Sequence, residues 1–273
     1  MTTRLDADQI SEFAAFAGEL ADLSGRAILP YFRETIAIHN KLGHTGAFDP
    51  VTEADREAES VIRAAIKARY PAHGIMGEEH GHERGASPLT WVIDPIDGTR
   101  AFMCGMPQWG TLIALNDGER PIVGVLDQPY MRERWTGANG VTRFRDGQGR
   151  DGVLKARACP ALKDAVLTTT SPTGYFTDAE QRVFWSLSGR VRMTRFGGDC
   201  YAYGLLAMGF VDAIVESGLK AWDIQALIPI IEGAGGVVTA WDGGSATDGG
   251  QVVACGDPAL QAAVIEVLAA AAR

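Results

Sequence analysis

The sequence predicts a layered α/β fold, in which helices cover the faces of β-sheets. Apolar residues recur at three- and four-residue steps from Ile10 to Ala27, which is the period of one helical face. From about residue 165 onward, short apolar runs alternate with segments of helical period. Helices that alternate with strands in this way are typical of sheets covered by helices.

The first half of the chain predicts two helices and three strands. The first helix carries the Ile10–Ala27 face. The second begins at Thr52-Glu-Ala-Asp55, which has the pattern of a capping box, and Pro71 closes it. Asn116-Asp-Gly-Glu between two apolar runs indicates a hairpin. The predicted strands are 91–94, 111–115 and 121–127.

The second half predicts strands and helices in alternation. The strands are expected at 165–169, 191–196, 211–216, 237–241 and 252–255. The helices are expected at 178–187, 199–208, 223–232 and from Pro258 onward. The Gly-rich, charged stretch 148–160 lacks periodic apolar positions, so we place a lobe boundary there. This gives an N-terminal α+β lobe (1–148) and a C-terminal α/β lobe (149–273).

Composition narrows the functional class. The formal net charge of −9 argues against nucleic acid as a main partner, because binding a phosphate backbone needs clustered Lys and Arg. The four cysteines are far apart, which argues against a zinc ribbon or a redox pair. The N-terminus carries acids where a signal peptide would be apolar, and no run approaches the ~18 apolar residues of a membrane span. We therefore expect a cytoplasmic protein without a membrane partner.

The segment from Trp91 to Thr99 has the pattern of a divalent-cation site. A predicted strand delivers Asp94 to its carboxyl end, where α/β sheets usually present ligands. Asp97 follows three residues later, and Gly98 allows a sharp turn. Two carboxylates beside the carbonyl of Ile96 offer the oxygen ligands that hard divalent cations prefer. If a helix starts at this point, the N–H groups of Gly98 and Thr99 favour a phosphate.

Three further acidic segments accompany it. Glu78 follows a short apolar run, Asp223 begins a late predicted helix, and Asp55 lies in the predicted capping box. In isolation each is better explained as a solvated acid or a helix cap than as a metal ligand. Two other patterns are weak: His80-Gly-His82 lies in a polar loop, and Gly233-Ala-Gly-Gly236 precedes a strand, which favours a helix C-cap over a dinucleotide loop.

Together, in order and in spacing, the four acidic segments resemble the signature of the inositol monophosphatase family, over about residues 49–255. The resemblance implies an αβαβα sandwich and an Mg²⁺-dependent phosphomonoesterase that acts on a small phosphorylated substrate. It also implies a homodimer. Two or three Mg²⁺ ions per site are expected.

The resemblance also implies the ligands. Glu78, Asp94 and the carbonyl of Ile96 would hold one Mg²⁺, and Asp94, Asp97 and Asp223 a second, with Asp94 bridging. Four acids so close together would repel strongly without cations between them. Paired ions also stabilise the attacking and leaving oxygens of an in-line displacement.

The implied nucleophile is a metal-activated water that attacks the phosphate directly. Thr99 and Glu78 would orient this water and accept its proton, and Asp55 would hydrogen-bond Thr99 and fix its direction. No covalent phosphoenzyme is implied, because phosphatases that form one on Asp need an Asp-x-Asp spacing. One departure from the family pattern is Lys41, which lies eight residues before Asp49, farther than the family lysine.

The second half of the chain most resembles the family's histidinol-phosphatase branch. The similar segments are 197–203 and 215–220. By similarity, Asp199 and Glu216 would contact the alcohol part of the substrate, and two acids suit the ammonium and imidazole of histidinol. Glu216 would equally accept inositol hydroxyls, and Asp199 is alternatively a helix N-cap. A broad-range inositol or sugar phosphatase and a catalytically idle regulator on the same fold remain the alternatives.

Overall fold

The structure, a computed structural model, describes residues 5–34, 38–40 and 50–272. Over these residues the helices are α1 (Ala7–Ile28), α2 (Glu53–Arg69), α3 (Thr99–Met103), α4 (Pro172–Tyr175), α5 (Asp178–Ser188), α6 (Asp199–Ala207), α7 (Ala221–Ile224), α8 (Leu227–Gly233) and α9 (Pro258–Leu268). The strands are β1 (Ile38–Asn40), β2 (Pro50–Thr52), β3 (Gly74–Gly77), β4 (Gly81–Glu83), β5 (Thr90–Asp97), β6 (Gly110–Asn116), β7 (Pro121–Gln128), β8 (Glu133–Ala138), β9 (Val141–Arg145), β10 (Asp151–Val153), β11 (Val166–Thr169), β12 (Met193–Phe196), β13 (Ala213–Leu219), β14 (Val237–Ala240) and β15 (Gly250–Cys255). No helix in this part of the chain is long and apolar enough to cross a bilayer.

Two large sheets organise the fold. The first has the strand order β10-β9-β8-β7-β6-β5-β3-β4 and the second the order β12-β11-β13-β15-β14, while β1 and β2 form a separate pair. In the first sheet only β3 and β5 run parallel. In the second sheet β11 is parallel to both β12 and β13, and β15 is antiparallel to β13 and β14.

Side chains that alternate along each strand separate the layers. On β5, Trp91 and Ile93 pack into a core with α1 and α2, whereas Val92 packs on the opposite face with α6 and α8. On β13, Ile214 belongs to that same middle core. Its neighbour Val215 packs outward against α5 and α9. The order of layers is therefore helices, sheet, helices, sheet, helices, and the expected αβαβα sandwich is confirmed.

Local sequence signals account for several elements directly. Thr52 caps α2 in a capping box with Asp55, as its sequence predicts. The predicted hairpin is β6–β7, with Leu115 opposite Val123 and Thr111 opposite Asp127. The first helix has the predicted position and extends from Ala7 to Ile28.

Two predicted features differ in the structure. The helix expected at 223–232 is two helices, α7 and α8, separated at residues 225–226. Pro229 explains the break, because it has no N–H for the carbonyl of Gln225 and its ring crowds that carbonyl. The predicted lobe boundary at 148/149 also does not coincide with the end of the first sheet, because β10 lies beyond it and pairs with β9. The division into two lobes stays a prediction.

Glycines in the first sheet allow the middle helices to approach its backbone closely. A Cβ on Gly124 of β7 would lie 1.9 Å from the carbonyl oxygen of Ala226, and one on Gly137 of β8 would lie 2.3 Å from the backbone of Pro229. Neither position can carry a side chain unless the α8 segment moves away from the sheet.

We expect Gly124→Ala to lower the free energy of unfolding by roughly 1–3 kcal/mol or more, the usual cost of overpacking a core. Denaturant unfolding would measure it. Gly152→Ala in β10 is the matched control, because a Cβ there meets nothing within 4 Å. Equal unfolding free energies for the two variants would contradict this account of how α8 packs.

Candidate active site

A bulge in β5 presents the two central acids. Asp94 pairs with Leu112 and Asp97 with Gly110, so three steps on β5 oppose two on β6 and the register shifts between them. The sequence predicted a strand that ended at Asp94, but β5 continues to Asp97. A bulge redirects side chains. Here it places two acids of one strand in a single cluster.

Gly98 ends the strand in a conformation that favours glycine. Its φ is 84°, and a Cβ at this position would lie 2.7 Å from the carbonyl oxygen of Gln108. The chain then enters α3 at Thr99, where the sequence suggested that a helix could begin.

Three carboxylates form a compact group: oxygens of Asp94, Asp97 and Asp223 lie within 4.8 Å of one another. Burial, followed by repulsion from Glu78 and Asp97, raises the pKa of Asp94 well above its usual range. Burial is also the main cause that raises the pKa of Asp223 to about 7, against the opposing N–H group of Lys220. A buried group of repelling oxygen donors has the chemistry that a hard divalent cation requires, so these residues fit a metal.

Backbone N–H groups hold each of these acids. The N–H of Cys200, in the first turn of α6, donates to Asp97 Oδ2 at 2.7 Å. Similarly, the N–H of Lys220 donates to Asp223 Oδ2 at 2.7 Å, and that of Ile96 to Asp94 Oδ1 at 3.0 Å. No sequence signal identified Cys200 as a site residue, because its contribution is a backbone group at a helix start.

Glu78 and Ile96 complete the predicted ligand set. Both line the same cavity as the compact group. Glu78 lies outside that group of three, but its charge raises the pKa values of Asp94 and Asp223, so it is a close neighbour of both. The carbonyl of Ile96 accepts the Thr99 hydroxyl at 3.0 Å.

The expected hydrogen bond between Asp55 and Thr99 is not formed in the structure. Asp55 Oδ2 instead accepts the N–H group and the hydroxyl of Thr52, at 2.8 and 2.5 Å. The bond from the Thr52 N–H group belongs to the capping box of α2, and the Thr99 hydroxyl donates to Ile96. Asp55 Oδ1 is buried without a hydrogen-bond partner among the described residues. Burial raises the pKa of Asp55 to about 7.

A cavity of about 540 Å³ joins the acid cluster to the two acids predicted to contact substrate. Asp199 is not a helix N-cap: Gly198 occupies that position, and no side chain caps the helix. Asp199 is the first residue of α6, at φ 43°, and its carboxylate lines the cavity. Burial raises its pKa to about 6, while the charge of Arg100 opposes the shift.

Glu216 lies buried in the same cavity, and its hydrogen-bond partners are the last residue of β11 and the residue that follows it. Glu216 Oε1 accepts the N–H group and hydroxyl of Thr170 at 2.7 and 2.9 Å, and Oε2 accepts the Thr169 hydroxyl at 3.2 Å. Burial raises the pKa of Glu216 to about 8, and repulsion from Asp199 adds to the shift, so these two acids are neighbours.

The cavity also contains residues that sequence reasoning missed. The charged residues that line the cavity are mostly acidic, but Arg100 and Lys220 add positive charge. Tyr203 adds a buried hydroxyl. Arg100 lies over the ring of Tyr175, 5.1 Å from its centroid. These side chains come from α3, α6 and the start of α7, and no spacing pattern links elements so far apart in the sequence.

The weaker motifs lie elsewhere. His80 Nε2 lies 3.2 Å from both the Ser60 hydroxyl and the Arg56 carbonyl, and His82 is exposed on β4. Within residues 5–34, 38–40 and 50–272, neither histidine belongs to a group of potential metal ligands. Lys41 lies outside the described residues.

Comparisons with known proteins agree with this geometry. The model of the inositol monophosphatase family matches residues 9–273. A bifunctional phosphatase, IMPL2, from Arabidopsis thaliana chloroplasts is 42% identical over 88% of this chain and 68% of its own length. A histidinol-phosphatase from Mycobacterium tuberculosis is 36% identical over 75% of this chain and 79% of its own. The structure of an inositol monophosphatase from Zymomonas mobilis has a TM-score of 0.83 and 40% identity, covering 95% of this chain and 98% of that one.

The five-layered fold and the buried acid cluster define a phosphatase whose relatives are metal-dependent, generally on Mg²⁺. The chain belongs to the inositol monophosphatase family. It is a phosphoric ester hydrolase of the kind that acts on small phosphorylated substrates.

Metal-free protein should become less stable as pH rises from about 4 to about 7. Asp223, with a folded pKa of about 7, binds its proton more tightly when folded than when unfolded, where an Asp pKa is about 3.9. Stability is therefore lost as pH rises toward the folded pKa. Mg²⁺ should restore it most at pH 8, and thermal unfolding with chelator or with Mg²⁺ measures both effects.

Asp223→Asn is the matched variant. Its metal-free melting temperature should vary less with pH and should gain less from Mg²⁺, because one repelling charge has been removed. A wild-type melting temperature that is independent of pH in chelator would contradict the proposed electrostatics of the cluster.

Proposed function

We propose that the protein hydrolyses L-histidinol phosphate to L-histidinol and phosphate, with Mg²⁺. The observation that carries the proposal is the pair of neighbouring acids, half-buried Asp199 and buried Glu216, in the cavity that also holds the acid cluster. Histidinol carries an ammonium and an imidazole, and cations beside these two carboxylates relieve their repulsion. An uncharged polyol offers no such relief.

Burial explains why a cationic substrate is favoured. With a pKa of about 8, Glu216 is largely protonated at neutral pH in the empty cavity. A cation nearby favours the ionised form, and each unit by which the pKa falls corresponds to about 1.4 kcal/mol of interaction. The charge of Arg100 already offsets part of the cost at Asp199.

Five groups would hold the metal: the carboxylates of Glu78, Asp94, Asp97 and Asp223 and the carbonyl of Ile96. When bound, Mg²⁺ neutralises these acids and stabilises charge on the attacking and leaving oxygens of an in-line displacement. All four carboxylates lie in one cavity, with Asp94 buried and the other three half-buried. This arrangement argues against the alternative of an idle regulator, since repulsion between the acids brings no advantage to a protein without catalysis.

The residues of the chain would orient the attacking water and take its proton. In the structure the Thr99 hydroxyl donates its single proton to the Ile96 carbonyl. Whether this proton stays on Ile96 or turns to another acceptor, the oxygen lone pairs of Thr99 can accept a hydrogen bond from water. Glu78 would accept the proton. Asp55 Oδ1 has no partner within the described part of the chain, and an unpaired buried oxygen is costly. We propose that it accepts the Thr99 hydroxyl during turnover.

The N–H groups of Gly98 and Thr99 would contact the phosphate. Gly98 precedes α3, and both residues line the cavity beside the acids. Cytoplasmic location and a homodimer, which the family resemblance suggests, stay predictions.

The second candidate is an inositol or polyol phosphatase. Glu216 favours it as readily, because its oxygens can accept substrate hydroxyls. The relatives also support both functions, since one is named a histidinol-phosphatase and another an inositol monophosphatase. Asp199 discriminates between the two, because an inositol ring has no cation for it to bind.

In a panel with inositol 1-phosphate, glycerol phosphate, nucleoside monophosphates and fructose 1,6-bisphosphate, L-histidinol phosphate should be the best substrate. Asp199→Asn should lower kcat/KM for it selectively. A hydrogen bond to a charged group is worth about 1.5–3 kcal/mol, so the loss should be on the order of tenfold to a hundredfold. Glycerol phosphate, which has no cation, should be almost unaffected.

Asp178→Asn, an exposed acid on α5, is the control variant and should leave both substrates unchanged. Equal losses on both esters in Asp199→Asn would mean that Asp199 only supports the site. If inositol 1-phosphate were hydrolysed best, the substrate assignment would fail while the phosphatase assignment remained.

A further inference from the structure

Glu59 is a fully buried carboxylate on α2 that the mechanism above does not use. Both of its oxygens accept backbone N–H groups from the turn between β3 and β4: Oε2 accepts that of Glu79 at 2.7 Å, and Oε1 that of His80 at 3.2 Å. Arg63, one helical turn later, donates Nε–H to Oε1 at 2.7 Å. Glu79 and His80 directly follow Glu78.

The same face of α2 holds the rest of this turn. Arg63 also donates through Nη2 to the carbonyl oxygen of Gly81. The His80 ring is within 3.2 Å of Ser60 Oγ and of the Arg56 carbonyl oxygen. Helix α2 therefore contacts the turn at its N–H groups, at a carbonyl and at a side chain.

The residue before Glu78 leaves space for the Glu59 carboxylate. A Cβ on Gly77 would lie 2.1 Å from Glu59 Oε1 and 2.4 Å from Cδ. The N–H group of Glu78 itself donates to the carbonyl of Ile93 on β5, at 3.3 Å. The backbone is thus held on both sides of Glu78, by β5 before it and by Glu59 after it.

We propose that Glu59 is a positioning residue that keeps Glu78 directed at the acid cluster. The inference rests on the proposed function, in which Glu78 is a metal ligand. Repulsion supplies the physical need: Glu78 raises the pKa values of Asp94 and Asp223, so without metal the cluster repels the Glu78 carboxylate. The N–H groups of the next two residues donate hydrogen bonds to the buried Glu59 carboxylate and hold the turn against this repulsion. Glu59 thereby prepares the site for the cation before the cation binds.

Glu59→Gln tests the idea with little change of shape. The glutamine side chain has only one acceptor oxygen. Its NH₂ group would face a backbone N–H group of the turn, and two donors cannot form a hydrogen bond with each other. We expect the Mg²⁺ dissociation constant, measured by calorimetry on the metal-free protein, to rise about 10–100-fold, as is usual when a group that orients a metal ligand is removed. Excess Mg²⁺ should restore most of kcat, with KM for substrate nearly unchanged.

Glu83→Gln is the matched control. Glu83 is exposed and contacts Arg63 and Lys67, but it does not accept the N–H groups of the turn, so its variant should bind Mg²⁺ like the wild type. Gly77→Ala is a second test, because its methyl group would displace the Glu59 carboxylate while leaving that residue intact. It should weaken Mg²⁺ binding in the same direction, which keeps the idea testable if Glu59→Gln does not fold.

The Glu78→Gln variant distinguishes the positioning role of Glu59 from the metal site on which that role rests. If Glu78→Gln weakens Mg²⁺ binding, but folded Glu59→Gln and Gly77→Ala bind like the wild type, the positioning role is overturned and the metal site stands. If the wild type itself binds no Mg²⁺, the proposed function fails. Circular dichroism and metal-free melting temperatures of each variant would show whether a loss of affinity is only a loss of folding.

Discussion

The repulsion among buried carboxylates is the constraint on which the rest of the site depends. Asp94, Asp97 and Asp223 bring oxygens within 4.8 Å of one another, with Glu78 beside them. Their raised pKa values mean that the folded chain without cations keeps protons that free acids would release. Clustered carboxylates destabilise the folded chain when no cation is bound. Four carboxylates offer the oxygen ligands of a divalent-cation site, so the binding of such cations accounts for the arrangement.

Each acid of the group of three accepts a backbone N–H group, locally for Asp94 and Asp223 and from α6 for Asp97. The acids themselves come from elements of both sheets, which is why the five layers matter to the chemistry. The β5 bulge brings Asp94 and Asp97 together, and the start of α6 donates an N–H group to Asp97. Asp223 arrives on α7 from the other sheet. We infer that Glu59 on α2 performs the same task for Glu78. Hydrogen bonds from the backbone thus hold the acids together against their repulsion, and a bound cation would neutralise the remaining charge.

The features that could be predicted from the sequence are those that depend on local periodicity and on short spacings between residues. The layered α/β class, the β6–β7 hairpin and the Thr52 cap follow from such patterns, whereas the αβαβα order was implied by the family resemblance. Strand β9 was missed because its buried residues are Thr142 and Phe144 while Val141 is exposed, so its hydropathy does not alternate as a strand's usually does. The break between α7 and α8 was predictable from Pro229, although the prediction treated the apolar periodicity as decisive.

Contacts between distant elements could not be read from the chain in this way. The roles of Cys200, Thr170 and Glu59 are hydrogen bonds to groups on other elements, which leave no spacing pattern. The Asp55–Thr99 bond implied by family resemblance is not present in the structure, where Asp55 Oδ2 accepts the hydroxyl of Thr52 instead. Family resemblance suggests which residues take part in the chemistry, but it does not show which partner each side chain takes in this fold.

The most direct test of the central claim is a calorimetric titration of Mg²⁺ into the metal-free protein at pH 7, in two buffers that differ in ionisation enthalpy. The difference in heat reports the protons released. We predict saturable binding with release of on the order of one proton or more, because a cation must displace the protons that the crowded acids retain. Binding without proton release, or no saturable binding, would contradict the account.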